Sequence, residues 1–461
     1  MKKAVFTLAV LAMATLGLRA QDSVFSYTHQ GTTLYYILEA NGEATMVPPM
    51  HPDLHWNDDN TAETWWGYSK PQGAVVVPDS VPFGGSNHAV TSIGLRALLH
   101  CDSIISLTLP PTVRQLEMNA LRECRRLQSV NLPEGVTSIG RTAFFDCNAL
   151  PSVTLPSTVV AIDYGAFGRC YSLQSVTFTP GPVPIAAIPE FCFYEDTSLV
   201  EIILPDGITT IDTGAFRHCN NLTSLTLPAT LTSIGPAAFR ECRSLQSLDF
   251  PATLTSIGSS AFRDCYGLQS VTLPQGLTAI SYACFYQDTM LARIDIPDGV
   301  TGIGDYAFGE CYGLHYASLP STLDSLGEEA FSNCHLDTLT VAATEPPALT
   351  TNTFSTYTAV VIVPCGSAVT YRRHSVWGRF GMIIEECNGI DDLEVMGYRL
   401  CVMDGRIVVE GANSETVSLY DVMGRQLATS HLSPFTFHLS TPGVYLVKVG
   451  DRPARKVVVV K

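Results

Sequence analysis

Apolar side chains recur through the middle of this chain at a fixed spacing of 23 residues. One position of the repeat makes the register plain: nine of its ten steps are 23 residues long, and only the step from Phe167 to Phe193 is 26. Because a unit of this size cannot bury its apolar face alone, it must stack on its neighbours. The pattern therefore predicts a solenoid of stacked coils. The register residues are Leu98, Leu121, Phe144, Phe167, Phe193, Phe216, Phe239, Phe262, Phe285, Phe308 and Phe331.

Within each unit, the spacing of the apolar residues changes twice. Leu248 and Phe250 lie two residues apart, which is the period of a strand, and Pro251 then ends the strand because it cannot donate to a ladder. A second short extended piece carries Ile257. The Ala-Phe-x-x-Cys segment that follows has the spacing of one helical turn facing the core. Each coil of about 23 residues is thus predicted to contain a strand, a short strand and a helical turn.

Nine of the units end in cysteine. Cysteines at one repeat position point the same way from successive coils, whereas a disulfide needs Cβ atoms turned toward each other. They are therefore predicted to be buried free thiols. In two units aspartate replaces this cysteine, and Asp196 and Asp288 are each expected to accept hydrogen bonds from a local turn. Cys365 and Cys387 lie outside the repeats, and the sequence leaves open whether they form a bridge.

The unit Leu-x-x-Val-x-Leu-Pro, followed by Ile-Gly-x-x-Ala-Phe-x-x-Cys, resembles the BspA-like leucine-rich repeats of bacterial and protozoan surface proteins. The match runs in register over residues 75–341 and implies a leucine-rich repeat solenoid. Residues 342–387 look like the closing module that such arrays often carry. Residues 21–74 resemble a degenerate first unit and are expected to cap the first coil.

A different pattern begins at about residue 388. Several short apolar runs separated by turns predict a small all-β sandwich over residues 388–461. This tail is similar to the C-terminal sorting domains of type IX secretion substrates, and the similarity rests on Leu419 to Asp421 with Gly424-Arg425, on Gly443 to Tyr445, and on the basic-apolar ending Lys456 to Lys461. The resemblance implies passage across an outer membrane through that secretion machinery, usually followed by cleavage of the tail.

Residues 1–20 have the form of a secretory signal peptide. Lys2 and Lys3 precede an apolar run, and Ala20 offers a cleavage point. No later stretch approaches the ~20 apolar residues of a membrane helix, so no transmembrane span is expected. The formal charge is −16, and loss of Lys2, Lys3 and Arg19 with the leader makes it −19. Such acidity argues against nucleic-acid binding through phosphate neutralisation. The chain is expected to be secreted or located at the cell surface.

The sequence contains none of the common enzyme or cofactor motifs, neither a Gly-x-Ser-x-Gly elbow, nor His-Glu-x-x-His, nor a phosphate-binding loop. No catalytic activity, cofactor or metal is therefore expected. One column of charged residues recurs at the repeat spacing and is a candidate for carboxylate or sulfate recognition, although such a column can also be a solvated charged face. Its members are Arg217, Arg240, Arg263, Glu241 and Asp264.

Three of the four tryptophans lie in the N-terminal segment, where they form either a capping cluster or a weaker candidate platform for stacking a ligand: Trp56, Trp65 and Trp66. The leading interpretation of the chain is a non-enzymatic surface protein that binds protein ligands, because a long repetitive face suits them. The family resemblance implies adhesion to host matrix proteins or to other cells. The alternative is a glycan-binding or structural component of the cell envelope.

Overall fold

The computed structural model describes residues 24–49, 64–181 and 185–386, and in the tail residues 399–403, 406–410, 416–421, 424–430, 435–438, 443–449 and 455–459. The chain divides into two compact units, Met1–Leu245 and Gln246–Lys461. The expected signal peptide lies outside the described residues. Each unit is built from stacked β-coils, which confirms the predicted solenoid fold.

Six strands open unit 1: β1 Phe25–His29, β2 Thr32–Leu38, β3 Ala44–Val47, β4 Gly73–Val76, β5 Ser80–Phe83 and β6 Ser86–Ile93. The first three pair antiparallel, and β3 then pairs in parallel with β6. The order β1-β2-β3-β6 runs on into the short strands of the following coils. The N-terminal strands therefore extend the sheet that the short strands of the following coils form.

The following coils of unit 1 each contribute one longer and one two-residue strand. Equivalent strands of successive coils pair in parallel and in register, so that Val153 faces Val176. Val153 and Leu155 are buried while Ser152 and Thr154 are exposed, which confirms the alternation read from the sequence. The strands are β7 Ile104–Thr108, β8 Gln115–Leu116, β9 Ser129–Asn131, β10 Ser138–Ile139, β11 Ser152–Leu155, β12 Ala161–Ile162, β13 Ser175–Phe178, β14 Ala187–Ile188, β15 Glu201–Ile203, β16 Thr210–Ile211, β17 Ser224–Thr226 and β18 Ser233–Ile234.

Unit 2 repeats this arrangement and then adds two longer strands beyond residue 341, β28 and β29, which pair in parallel with the array. Helix α1 Ala368–Arg373 and a 3₁₀ turn, Trp377–Arg379, connect the two. The strands are β19 Ser247–Asp249, β20 Ser256–Ile257, β21 Ser270–Thr272, β22 Ala279–Ile280, β23 Arg293–Asp295, β24 Gly302–Ile303, β25 Tyr316–Leu319, β26 Ser325–Leu326, β27 Thr338–Val341, β28 Val360–Pro364 and β29 Met382–Glu386.

The register phenylalanines form stacked rows inside both units. In unit 1 the ring centroids from Phe144 to Phe216 and on to Phe239 are 5.2–5.7 Å apart, with interplanar angles of 4–15°. In unit 2 the row continues past the predicted last member, because Phe354 stacks on Phe331 at 5.6 Å. Every register phenylalanine from Phe144 to Phe308 is fully buried. Offset parallel stacking of this kind adds to the free energy gained from burying the rings.

The Ala-Phe-x-x-Cys segment is the part of the predicted coil that the structure corrects. It forms consecutive turns, in which the backbone N–H groups alternate between two kinds of partner. The N–H of Leu121 donates to Ala143 in the next coil at 2.8 Å, whereas the N–H of Arg122 donates three residues back to Asn119. Left-handed residues at Asn119 and Glu123 produce this alternation. A helical turn would keep every donor inside the segment and leave none for the neighbouring coil.

The eleven cysteines of the repeats are buried free thiols, as predicted. The Sγ of Cys147 lies 3.3 Å from the carbonyl oxygen of Leu121 in the preceding coil, and Cys170 and Cys219 make the same contact with Phe144 and Phe193. Cys365 is disulfide-bonded, and Cys387, with which the sequence left a bridge open, lies outside the described residues. These ladder thiols therefore act as small apolar side chains that also donate to the coil before them.

Asp196 and Asp288 bond between coils, which corrects the expected local turn. Asp196 Oδ1 accepts from the backbone N–H of Cys170 at 2.8 Å, and Asp288 Oδ1 accepts from Cys265 at 2.9 Å. Both carboxyl groups are completely buried, and within the described residues no partner reaches either Oδ2. Burial raises the pKa of both carboxyls well above the ordinary range. Each is therefore held in its neutral form inside the fold.

The described tail segments are antiparallel β-structure, which agrees with the predicted all-β region. They form a three-stranded sheet, β30-β31-β34, and a four-stranded one, β36-β35-β32-β33. The second sheet joins the array directly, because Glu385 of β29 pairs with Arg455, and Leu446 packs with Val360 and Ile384. The sequence did not predict this continuity. The strands are β30 Arg399–Met403, β31 Arg406–Glu410, β32 Val417–Asp421, β33 Gln426–Ser430, β34 Phe435–His438, β35 Gly443–Val449 and β36 Arg455–Val459.

The phenylalanine row should dominate the stability of its unit. Phe216 has a ring on either side at 5.2 Å, so Phe216→Ala leaves a cavity between two coils. We expect the free energy of unfolding to fall by about 3–5 kcal/mol in urea titrations. Ile203→Ala is the control, because this exposed side chain should contribute no more than about 0.5 kcal/mol. A loss below about 1 kcal/mol at Phe216 would contradict the ring stacking.

The buried carboxyls should make stability fall as pH rises. Since the pKa of Asp196 is higher in the folded than in the unfolded chain, the folded state retains a proton that the unfolded state loses above about pH 4. Each such group then lowers the free energy of unfolding by about 1.4 kcal/mol per pH unit, up to its folded pKa. Asp196→Asn should reduce this slope above about pH 4 and raise stability at neutral pH.

Exposed Asp206→Asn, in the same unit, is the matched control and should leave the slope unchanged. The measurement is urea unfolding followed by circular dichroism at several pH values. If Asp196→Asn has the same pH slope as the wild type, the carboxyl is not held neutral.

Candidate ligand-binding surface

The side chain directly after each register residue from Leu121 onward lies on the turn side of its coil, and we call this row the turn column. In unit 1 it consists of Arg122, Phe145, Gly168, Tyr194, Arg217 and Arg240, and in unit 2 it includes Arg263, Tyr286 and Gly309. The arginine and aromatic members are half-buried. The expected arginines therefore belong to a longer row of cations and aromatic rings, which the 23-residue spacing could already have indicated.

A second row lies beside it, formed by the next residue of each coil. These residues have positive φ, close to 60°, and most are charged or polar: Glu123, Asp146, Arg169, Glu195, His218 and Glu241 in unit 1, and Asp264, Gln287, Glu310 and Asn333 in unit 2. The left-handed conformation belongs to the stacked turns and not to a ligand site, because it recurs in coil after coil. Its consequence is that acidic side chains stand next to the turn column.

The structure places the expected charged residues in local contacts. Arg240 Nε lies 3.7 Å from Glu241 Oε1, and Glu241 also lies 3.0 Å from His218 Nδ1 and 2.8 Å from Arg243. In unit 2, Arg263 Nε lies 3.3 Å from Asp264 Oδ2. Of the three arginines expected from the sequence, Arg240 and Arg263 thus already have a carboxylate beside them.

Two column arginines also lie over tyrosine rings. The Arg217 guanidinium is 6.0 Å from the centroid of Tyr194, and the Arg263 guanidinium is 4.7 Å from that of Tyr286. Burial raises the pKa of both tyrosines, so their hydroxyls stay neutral. A half-buried guanidinium over a ring is held in place while its outer N–H groups stay available to a carboxylate or sulfate.

A groove in unit 1, which sequence reasoning missed, opens beside the same column. It has a volume of about 390 Å³. Its walls combine arginine and aromatic side chains from several coils, and we call it the turn groove: Arg122, Arg141, Phe145, Tyr164, Phe191 and Tyr194. Arg141, Tyr164 and Phe191 precede the register phenylalanines in their own coils, so no single repeat position predicts the groove.

The three tryptophans of the N-terminal segment occupy different environments. Trp65 is buried, donates from Nε1 to the carbonyl of Ala97 at 3.2 Å and packs edge-on against Tyr35. Trp66 is 70% exposed. Trp56 lies outside the described residues. Trp65 therefore belongs to the packed cap, and Trp66 is the member of the expected platform that faces solvent.

The described part of the chain holds neither a metal-binding cluster nor a membrane-crossing helix. Among these residues, no group of three or more His, Cys, Asp or Glu side chains is arranged to hold a metal ion. None of the helices there has the length and apolar character needed to cross a membrane.

The chain was also compared with known proteins. A family model described as the BspA type leucine rich repeat region matches six copies, over residues 91–185, 186–297 and 278–378. No curated protein sequence matches significantly.

Several solved structures are similar to the chain. A leucine-rich cell surface protein from Faecalibacterium prausnitzii A2-165 is 26% identical, with 70% of this chain and 96% of that one covered and a TM-score of 0.42. A leucine-rich repeat protein from Bacteroides ovatus is 22% identical, with 68% and 94% covered and a TM-score of 0.42. The pneumococcal vaccine antigen PcpA is 15% identical, with 74% and 94% covered and a TM-score of 0.46. The repeat matches span more than half of the sequence, and the chain belongs to the BspA-type leucine-rich repeat family.

Proposed function

We propose that this chain is an exported, non-enzymatic surface protein that binds protein ligands, with an adhesin-like role toward host matrix proteins or other cells. Membership of a family of leucine-rich repeat scaffolds supports a binding role, and so does the periodic face that the coils present. The observation that carries the proposal is the turn column, because its arginines and aromatic rings are the side chains that contribute most to protein interfaces.

The proposed ligand surface includes Arg217, Arg240 and Arg263, together with Glu241 and Asp264. Arginine binds carboxylates through two parallel hydrogen bonds, so this surface suits an acidic partner. The carboxylates beside Arg240 and Arg263 hold the guanidinium groups in fixed positions. They also repel any partner that brings a negative charge against the carboxylate instead of the guanidinium group. We therefore assign specificity, as well as affinity, to the mixed charges.

Export is the second part of the proposal. The signal-peptide pattern of residues 1–20 supports passage across an inner membrane. The similarity of the tail to type IX sorting domains supports passage across an outer membrane, with the secretion machinery as a second partner. The antiparallel strands Val417–Asp421 and Gly443–Val449 carry two of the motifs on which that similarity rests.

A glycan-binding or structural role in the cell envelope is the alternative. The observation that favours it is Trp66, whose exposed ring could stack on a sugar. Because Trp65 is buried, it cannot join Trp66 in a stacking platform for a sugar. Glycan arrays probed with the wild type and with Trp66→Ala separate this alternative from the binding of protein ligands.

Reversing the charge of Arg217, Arg240 and Arg263 tests the ligand surface. The mature full-length chain should bind at least one immobilised matrix protein saturably, and Arg217→Glu, Arg240→Glu and Arg263→Glu together should weaken an acidic ligand about tenfold or more. The loss should be larger at low salt, where surface charges act over longer distances. Surface plasmon resonance at several salt concentrations measures both effects.

The matched control reverses three exposed arginines elsewhere, Arg114, Arg126 and Arg373, and so changes the net charge equally. It should retain most of the affinity. Equal weakening of the two triple variants would mean that net charge, and not the turn column, governs binding.

Deletion of Val417 to Lys461 tests the export proposal. If the tail carries the sorting signal, the shortened protein should accumulate in the periplasm while the full chain reaches the surface. Cell fractionation and digestion of intact cells by protease measure its location. The full chain with Arg126→Glu should behave as the wild type, and surface display of the shortened protein would refute the sorting assignment.

A further inference from the structure

The walls of the turn groove include Phe145 and Tyr194, the turn-column residues on either side of Gly168. Position 168 of the turn column is glycine, where the coils before and after carry Phe145 and Tyr194. A Cβ atom at Gly168 would lie 3.0 Å from Cδ2 and Cε2 of Phe145, so even alanine would displace that ring. The glycine therefore lets the Phe145 ring pack closely against the backbone of the next coil, and this ring forms one wall of the groove.

The groove holds a cation that is open to a ligand. Arg141 is exposed, and its guanidinium lies 4.3 Å from the ring centroid of Tyr164. Within the described residues no carboxylate lies within ion-pair distance of Arg141. The second guanidinium, of Arg122, lies 5.3 Å from the Phe145 ring and 3.4 Å from Glu123. Stacking on a ring fixes the plane of the Arg141 guanidinium and leaves its N–H groups free to bind a carboxylate.

The remaining walls are aromatic. Tyr164 and Phe191 are 5.5 Å apart with their planes tilted by 57°, and Phe191 meets Tyr194 edge-on at 5.6 Å. Rings set at such angles surround an inserted side chain and do not present one flat platform. Their geometry suits an aromatic or large aliphatic anchor, which can meet them in edge-to-face contacts.

The fixed polar groups of the groove are already paired. Asn119 and Thr142 also line it, but both are buried, and the Thr142 hydroxyl donates to Asn119 Oδ1. A sugar needs several open donors and acceptors for its hydroxyl groups. Here the open polar groups are mainly guanidinium N–H donors, which favour a carboxylate over a hydroxyl. These features point to a peptide rather than a glycan.

We propose that the turn groove is the anchor site for an acidic peptide segment of the protein ligand. An apolar side chain of that segment lies among Phe145, Phe191 and Tyr194, and a neighbouring Asp or Glu carboxylate accepts hydrogen bonds from Arg141. This inference rests on the proposed protein-binding function and names the chemistry of its ligand. Arg217, Arg240 and Arg263 do not line the groove, so variants at Arg141 and Tyr164 test it separately from those three arginines.

The test uses fluorescence anisotropy with the full mature chain and a labelled peptide of one tryptophan flanked by glutamates. The peptide should bind saturably. Replacement of its glutamates by glutamine, or of its tryptophan by alanine, should each weaken binding about tenfold, as for the loss of a charge-assisted contact or a buried aromatic anchor.

Variants of the protein locate the site. Arg141→Glu and Tyr164→Ala should each weaken the affinity for the peptide about tenfold or more. Tyr164→Phe keeps the ring under the guanidinium and should bind the peptide as the wild type does. Arg126→Glu makes the same charge change as Arg141→Glu at an exposed residue outside the groove lining and should have no effect. Thermal unfolding of every variant confirms that the coils stay folded.

Gly168→Ala gives an independent test that leaves the charges of the groove in place, because the added Cβ should shift the Phe145 ring by a few tenths of an ångström and so weaken binding of the peptide. Binding that survives Arg141→Glu and Tyr164→Ala in folded protein overturns the proposal. So does binding of polygalacturonate, an acidic polysaccharide, with no binding of the peptide. Capture of a matrix protein that these variants do not weaken would refute the groove while the proposed function stands. Peptide binding without capture of any protein ligand would refute the function alone.

Discussion

The backbone of each coil cannot satisfy its own hydrogen bonds, and the rest of the structure depends on this constraint. The two strands of a coil donate to equivalent strands of neighbouring coils, and in the turn segment alternate N–H groups do the same, as from Leu121 to Ala143. Within each unit, these ladders hold the coils of the described residues in register with their neighbours. Residues at one repeat position must stack on one another, and this is why phenylalanine can be followed by phenylalanine along the core.

The same register organises the surface. A residue type that recurs at one position becomes a row, so that arginines and tyrosines form the turn column and acids form the row beside it. A regular row alone has no single place for a ligand, because each coil repeats the last. Distinct sites arise where neighbouring coils differ, as around Phe145, Tyr164 and Phe191 in the turn groove. The irregular residues of a repeat protein thus carry more information about its ligands than the regular ones.

Much of the fold could be predicted from the sequence, because the same residue types recur at the same position of each 23-residue unit. The buried phenylalanines, the two strands per coil and the free thiols all follow from one period and from the direction of side chains within it. The left-handed turns could not be predicted in this way. Neither Asn119 nor Glu123 is a glycine that would mark a left-handed position, and the spacing of Ala, Phe and Cys fits a helical turn equally well. The stacked turn forms because the carbonyl groups of the next coil need N–H donors.

The candidate site was less predictable for a related reason. Arg217, Arg240 and Arg263 share one position and were visible as a period, whereas the turn groove combines different positions from several coils. Asp196 illustrates the same limit, because its carboxyl looked able to cap its own turn but accepts from the N–H of Cys170 in the coil before. Contacts between different repeat positions require the stacking geometry, which a list of spacings does not contain.

The longer step between Phe167 and Phe193 shows how this architecture changes length. Its three additional residues do not disturb the ladders, because Val176 of β13 still pairs with Ile202 of β15 and the rings still stack at 5.7 Å. Insertions are therefore tolerated in the connections between ladders, whereas one residue added inside a strand would shift every later row. For the gene, in-frame duplication or loss of a whole coil is the least disruptive large change, and it lengthens or shortens the surface while preserving the chemistry of each row.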